Sequence, residues 1–429
     1  MRSIAGAASA AALIGKTAQA DEAALPSPSS SKIEHIIVVM MENRSFDHLL
    51  GWLPGAHGRQ AGLRYLDKHG EAHWTNRLTT TVGCSHPDPD HSYGAGRSEY
   101  AHGRLDGWLW TGANDSFAIG YYEEADLPFY GALARNFTTL DNYFSSILGP
   151  TYPNRIFQHA AQTDRLSNTS TVSKLQTIWD RLAAAKVSHR YYYSNIPFLT
   201  LWGDKYRGIS SLFSQFLKDA ANGTLPAVAF LDPKFTIQDN GHGNDDHPHA
   251  DLRAGEAFLG EVYRAVTHGP GWKNTVLIIN RDEWGGFYET VTPPRVIAPN
   301  DVDKDLVNGK ALLGFRVPVV VVSPFTRGKT ATPRINSSLY DHTSVLKLIE
   351  WRYGLRPLTR RDASGEIGNL AWALNFAEPE YSVPWLPVIK TPDPTACPLF
   401  NLSTNEDNES FDFYDLMNSE LAEGWNIVR

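Results

Sequence analysis

Two short acidic steps follow apolar runs in this chain. Glu42-Asn43 comes directly after residues 36–41 (IIVVMM), and Asp282-Glu283 comes shortly after residues 275–279 (TVLII). Carboxylate and amide oxygens are ligands for hard or borderline divalent cations. Neighbouring carboxylates repel at contact unless one is protonated or a cation lies between them. Either pair alone also suits an ordinary polar turn, with Asn43 as a helix cap. Two such pairs in one chain favour a metal centre. Its ligands would be Glu42, Asn43, Asp282 and Glu283, holding one or two divalent ions whose identity the ligand types leave open. The glycines of Trp284-Gly285-Gly286-Phe287 let backbone approach the second pair closely.

A nucleophile is offered by Gly149-Pro150-Thr151-Tyr152-Pro153-Asn154-Arg155, a rigid turn that carries a hydroxyl, an amide and a guanidinium. Binding Thr151 to the cation would lower its pKa and aim it at phosphorus. Arg155 would clamp one phosphoryl oxygen, and Asn154 or backbone N–H groups would donate to another. Taken alone, the stretch equally describes a proline-stiffened turn in which Thr151 or Asn154 caps the next segment. Imidazoles come from Asn244-Asp245-Asp246-His247-Pro248-His249 and from Asp88-Pro89-Asp90-His91. His247 and His91 are the candidates to bind metal, hold a transferring phosphoryl group or protonate a leaving alkoxide. The chain has 15 histidines, so most must be ordinary. His86, His102, His249 and His268 read as structural or surface residues, and His342 as part of a helix start that capping explains.

These groups lie far apart in sequence and need a frame that gathers them. Residues 36–41, 275–279 and 317–322 (VPVVVV) read as buried strands, being short, apolar and β-branched. Helical spacing marks 251–267, where Leu252, Leu259, Val262, Tyr263 and Val266 share a face, and 341–351, with Asp341 as N-cap. Apolar strands alternating with helices predict an α/β fold: a central, mostly parallel sheet with helices on both faces. Functional groups then collect beyond the carboxyl ends of the strands. Residues 52–135 and 156–230 read as loop-rich insertions. Their rings Trp52, Trp74, Trp108, Trp110, Tyr191, Tyr192 and Tyr193 offer either a cation–π box for a choline group or plain packing.

The chain's 429 residues, 42% hydrophobic and 20% charged, suffice for one large domain over 32–429. A formal charge of −8 advertises no basic face and argues against nucleic acid as a partner. Residues 1–20 read as an export signal, with Arg2, an apolar stretch over 4–14 and Ala18-Gln19-Ala20 before the cut. Residues 21–31 read as a flexible linker. The expected destination is the periplasm or the medium; no Arg-Arg pair within residues 1–20 chooses between the twin-arginine and general routes. Two cysteines, Cys84 and Cys397, exclude a disulfide scaffold and a thiolate metal site. They leave open one disulfide or two buried thiols.

Six segments occur in order: VVMMENRSFDHLLGWLPG, DNYFSSILGPTYPNR, DDHPHADLRAGEAFL, WKNTVLIINRDEWGGFYETVTPP, LLGFRVPVVVVSPF and YDHTSVLKLIEWRYGL. Together, from about residue 32 to about 355, they closely resemble the bacterial phosphoesterase family, which holds non-toxin-type phospholipases C and a related acid phosphatase. The resemblance implies an alkaline-phosphatase-like α/β fold. It matches Glu42-Asn43 and Asp282-Glu283 to the family's metal-binding pairs and Thr151 to its nucleophile. It also matches His247 to the histidine of its DDHP motif and His91 to an earlier active-site histidine. One departure stands out: Glu289-Thr290-Val291 replaces the usual Asp-His-Val, so a histidine is missing near the expected site. The function expected is hydrolysis of phosphate esters through a phosphothreonine intermediate, of the phospholipase C type. A small-molecule or lipid phosphoester would be the substrate, with transient membrane-surface contact for a lipid; the oligomeric state stays open. The alternatives are a broad-specificity acid phosphatase and a catalytically silent binder of phosphorylated surface groups.

Overall fold

The computed structural model describes residues 25–398 and 409–428; the expected export segment lies outside them. An eight-stranded sheet forms the centre. Its strands are β1 (His35–Met41), β2 (Thr138–Leu140), β3 (His189–Tyr193), β4 (Ser210–Leu212), β5 (Val228–Leu231), β6 (Thr275–Arg281), β7 (Val319–Val322) and β8 (Arg334–Asn336). They lie in the order β8-β2-β7-β6-β1-β5-β3-β4.

The three apolar runs therefore sit side by side in the middle, as β7, β6 and β1. Their continuous hydrophobicity has a direct cause. Ile36 and Val38 pack on one face with Val276 and Ile278, while Ile37, Val39 and Met41 pack on the other with Leu277 and Ile279. A strand covered on both faces has no side left for a polar alternation. Burying each of these side chains contributes roughly 1.5–3 kcal/mol.

β1 is parallel to β6 and β5, and β3 is parallel to β5 and β4. The third run departs from expectation: β7 is antiparallel to both β6 and β2. Its carboxyl end therefore points away from those of β1 and β6, and Ser323 there donates to the Thr275 carbonyl at the start of β6 (2.8 Å). The 156–230 stretch also differs from its reading as insertion, because β3 and β4 are strands of the main sheet. Residues 52–135 form small two-stranded ribbons, a helix, α1 (Tyr93–Tyr100), and most of a second, Pro128–Asn136.

Helices cover both faces. α2 (Thr151–Ala160) and α4 (His342–Tyr353) lie on one side through Ile156, Val345, Leu346 and Ile349. On the other, α3 (Leu252–His268) presents Leu259, Val262, Tyr263 and Val266. Asp341 caps α4, accepting the Thr343 N–H while Ser344 answers to the cap's own N–H; this satisfies donors a helix start leaves open. Cys84 and Cys397 form a disulfide.

Of the two readings of the aromatic rings, a box or plain packing, the structure shows packing. Trp108 is buried in a cluster of its own with Phe315, Trp74 is 59% exposed, and Tyr191 and Tyr193 face one side of β3 while Tyr192 faces the other. Alternation along a strand splits such a run between two faces.

Candidate active site

Register brings the two acidic pairs together. Met41 stands opposite Arg281, so the next residues, Glu42 and Asp282, leave the sheet side by side. Two hydrogen bonds stitch the exits: Asp282 N–H to the Met41 carbonyl (3.2 Å) and Arg44 N–H to the Glu283 carbonyl (3.0 Å). Gly285 makes this approach possible. Its φ is +64°, and a Cβ there would lie 2.4 Å from the Asn43 carbonyl oxygen. Gly286, φ +70°, does the same for the loop carrying His91, where a Cβ would meet Pro89 at 2.6 Å.

Thr151 opens α2, and its hydroxyl donates to Glu42 Oε2 at 3.3 Å. This joins the third segment to the first, and Glu42, Asp282, Glu283 and Thr151 are all fully buried. His91 Nε2 lies 3.4 Å from the Asn43 amide nitrogen and 4.0 Å from Glu283 Oε1. Its Nδ1 is 2.6 Å from the Pro89 carbonyl, a partner that only accepts, so Nδ1 carries the proton and Nε2 is the nitrogen turned to the acidic pairs. His247 Nε2 lies 3.3 Å from Asp88.

Asn154 and Arg155, read from the sequence as phosphoryl contacts, are engaged with groups of the protein itself. The Asn154 amide donates to the carbonyls of Ile147 (3.2 Å), Gly149 (2.7 Å) and Pro150 (3.2 Å) and accepts the Ile147 N–H (3.1 Å). With donors and acceptor engaged, it shapes the turn that presents Thr151. Arg155 ion-pairs with Glu42, with Asp282 (3.0 Å) and with Asp232 (3.1 Å). Burial alone would lower its pKa, but these three carboxylates more than reverse that and raise it. Its guanidinium is thus a buried countercharge between the acidic steps, where an unpaired anion would cost several kcal/mol.

The donor set Glu42, Asn43, Asp282, Glu283 and Thr151 is all oxygen, which fits a hard divalent cation in kind. Among the described residues, no group of three or more His, Cys, Asp or Glu side chains is gathered as a metal cage; Arg155 lies between Glu42 and Asp282.

Several contributors are not apparent from the sequence. Arg44 donates to the carbonyls of Asp246 (2.7 Å) and His247 (3.1 Å), fixing the His247 loop to the end of β1. Asp232 follows β5 as Glu42 follows β1, a strand-end position that could have flagged it. His342 is more than a capping neighbour: its Nε2 lies 2.7 Å from the Asp282 carbonyl and its Nδ1 3.1 Å from the Tyr143 hydroxyl. Burial pushes this imidazole down to about 4, so it is neutral, with its proton on Nε2. Trp284 is held by its indole N–H on Glu99 (2.8 Å), whose carboxyl burial raises well above the usual range. Thr290, where the resembled family carries histidine, donates to Asp47. It belongs to a separate buried network in which Glu289 and Asp47 pair with Arg316 (2.6 and 3.3 Å).

Residues 33–356 match the model of the Phosphoesterase family. Non-specific phospholipase C6 of Arabidopsis thaliana is 33% identical over 389 residues, covering 81% of this chain and 72% of that protein. Phospholipase C B of Mycobacterium tuberculosis is 30% identical over 425 residues, covering 81% of this chain and 78% of its own. A solved member of the alkaline phosphatase superfamily from Vibrio parahaemolyticus is 11% identical over 73% of this chain and 71% of that one, at a TM-score of 0.35, a weak likeness.

Proposed function

The chain belongs to the Phosphoesterase family and is a phosphoric ester hydrolase, and from that premise we propose a phospholipase C type reaction on phosphodiesters with Thr151 as nucleophile. The observation that supports this most is the hydrogen bond from Thr151 to Glu42 beside the paired strand ends: hydroxyl, proton acceptor and acidic pairs from three distant segments share one buried spot. The relatives named as phospholipases C support the diester class.

In the first step the Thr151 Oγ1–P bond forms, the hydroxyl proton passes to Glu42 Oε2, and the P–O bond to the alcohol breaks. His91, once its Nε2 is protonated as well as its Nδ1, or His247 delivers the proton to the departing alkoxide. In the second step water attacks the phosphothreonine and gives a proton back to the imidazole, while the Thr151 Oγ1–P bond breaks and Oγ1 takes back the proton held on Glu42 Oε2. Asn154 and Arg155 keep the hydroxyl and the carboxylates in place rather than touching the substrate. Glu42, Asn43, Asp282, Glu283 and Thr151 would hold one or two divalent cations, which when bound supply positive charge for the transferring group and acidify the hydroxyl.

A lipid substrate would be met at a membrane surface; no helix among the described residues is long and apolar enough to cross one. Export to an oxidising compartment is consistent with the Cys84–Cys397 disulfide.

Turnover of p-nitrophenylphosphorylcholine beside p-nitrophenyl phosphate, before and after chelation, tests this reading. We expect the diester to be preferred and the activity to vanish on chelation and return with a divalent ion. Preference for the monoester would favour a broad acid phosphatase instead, and activity indifferent to chelator would remove the cation from the scheme.

A further inference from the structure

The run Asp88-Pro89-Asp90-His91 supplies more than His91. Asp88 is 2% exposed and sits between prolines that fix φ on both sides, Pro87 and Pro89. Its carboxylate Oδ2 lies 3.3 Å from His247 Nε2. The two loops are fastened together around this contact. Gly83 N–H donates to the Pro248 carbonyl (3.0 Å). The His249 ring meets the His86 carbonyl (3.0 Å) and Asp239 (3.1 Å), and the Cys84–Cys397 disulfide joins the same loop to a segment whose Cys397 N–H donates to the Asp239 carbonyl (2.9 Å).

From the other side, Arg44 holds the His247 carbonyl and Asp245 accepts the His247 backbone N–H (3.1 Å). The ring's remaining nitrogen, Nδ1, faces the His249 N–H at 3.5 Å. A nitrogen that accepts there leaves the ring proton on Nε2, the nitrogen 3.3 Å from the Asp88 carboxylate. The charged and titratable groups around this ring are thus Asp88, Asp245, Arg44 and His249, with His91 beyond Asp88. Burial works against ionisation of Asp88, yet His247, His91 and His249 hold its carboxyl below the usual range.

We propose that Asp88 is a positioning residue for phosphoryl transfer, acting by fixing the tautomer and direction of the His247 ring. The inference rests on the reading of this site as a phosphoesterase centre. Carboxylate partners of metal-ligating imidazoles change activity by roughly 10- to 100-fold when removed, and an effect of that order is expected for this carboxylate–imidazole pair by analogy.

The test is a double-mutant cycle on p-nitrophenylphosphorylcholine with Asp88→Ala and His247→Ala, with nitrogen NMR of the His247 ring alongside. Asp88→Ala should lower kcat by roughly 10- to 100-fold with KM nearly unchanged. Asp88→Asn, which keeps an acceptor, should recover part of the loss, and in the His247→Ala background neither change should matter further. The NMR spectrum should lose its single Nε2–H form in Asp88→Ala. A loss of equal size with and without His247, or an unaltered ring spectrum, would overturn the proposal. Should Asp88→Ala not fold, Asp88→Asn takes its place in the cycle. A wild-type protein that hydrolyses no phosphoester would count against the site's function, while the ring spectrum still decides the Asp88–His247 pair on its own.

Discussion

Gly285 shows how few atoms decide whether this site can exist. Its left-handed φ and the 2.4 Å approach to the Asn43 carbonyl leave no room for a side chain where the second acidic pair meets the first. Gly285→Ala would introduce backbone strain of roughly 1–2 kcal/mol and push Asn43 away. It is expected to cut kcat/KM on p-nitrophenylphosphorylcholine at least 10-fold while circular dichroism and Tm change little; unchanged turnover would mean that the separation of residues 43 and 283 is unimportant. The residues proposed to carry the chemistry are largely legible, because Glu42, Asn43, Asp282, Glu283 and Thr151 all follow or sit in features that sequence displays: strand ends and a proline-rich turn. Their supporting partners are not. Arg155 meets Asp232 across 77 positions and Arg44 meets the His247 carbonyl across 203, and no local pattern encodes contacts of that reach. Arg155 is a further case: a guanidinium in this turn suggests a phosphate clamp, and sequence gives no sign of the three buried carboxylates it pairs with.

At the scale of elements, α4 carries a titration that can be read in stability. Glu350 is 5% exposed, and its carboxyl is pushed up to about 9, first by burial and then by Asp362. The folded protein thus holds it neutral, while the unfolded chain ionises near 4.5. Its contribution to stability is whole below pH 4.5 and declines as pH rises toward 9, at a rate of at most about 1.4 kcal/mol per pH unit. Glu350→Gln should therefore raise Tm at pH 7.5, be nearly neutral at pH 4.5 and flatten the slope between them. A variant less stable at pH 7.5 would show that the ionised carboxylate is the form the fold needs. The helices and the three central strands are readable because a two-sided core demands unbroken apolar runs and a one-sided helix demands period 3.6. Strand direction is not readable, since Val319–Val322 would look the same in either sense. β3 and β4 escape notice in sequence because Tyr191–Tyr193 and Ser210–Leu212 are short and polar or aromatic, and resemble loop until the sheet is assembled.

Across the whole molecule, parallel β1 and β6 hold two acidic steps in register, α2 brings a hydroxyl onto the first of them, and the loop of Asp88 and His91 is fastened over the second by the Gly286 approach and the Cys84–Cys397 disulfide. No one of these segments forms a site; their convergence does, and this is why six weak motifs together point to one family when each alone admits a turn or a cap. If that convergence performs the proposed chemistry, the phosphoryl group passes through Thr151. Acid quenching during turnover of a phosphorus-labelled diester, followed by peptide mapping, reads this directly. Label should be found on the peptide bearing Thr151, at Thr151 itself, and be absent from a folded Thr151→Ala protein that has lost turnover; label on another residue, or a Thr151→Ala protein that still hydrolyses the diester at the wild-type rate, would contradict it.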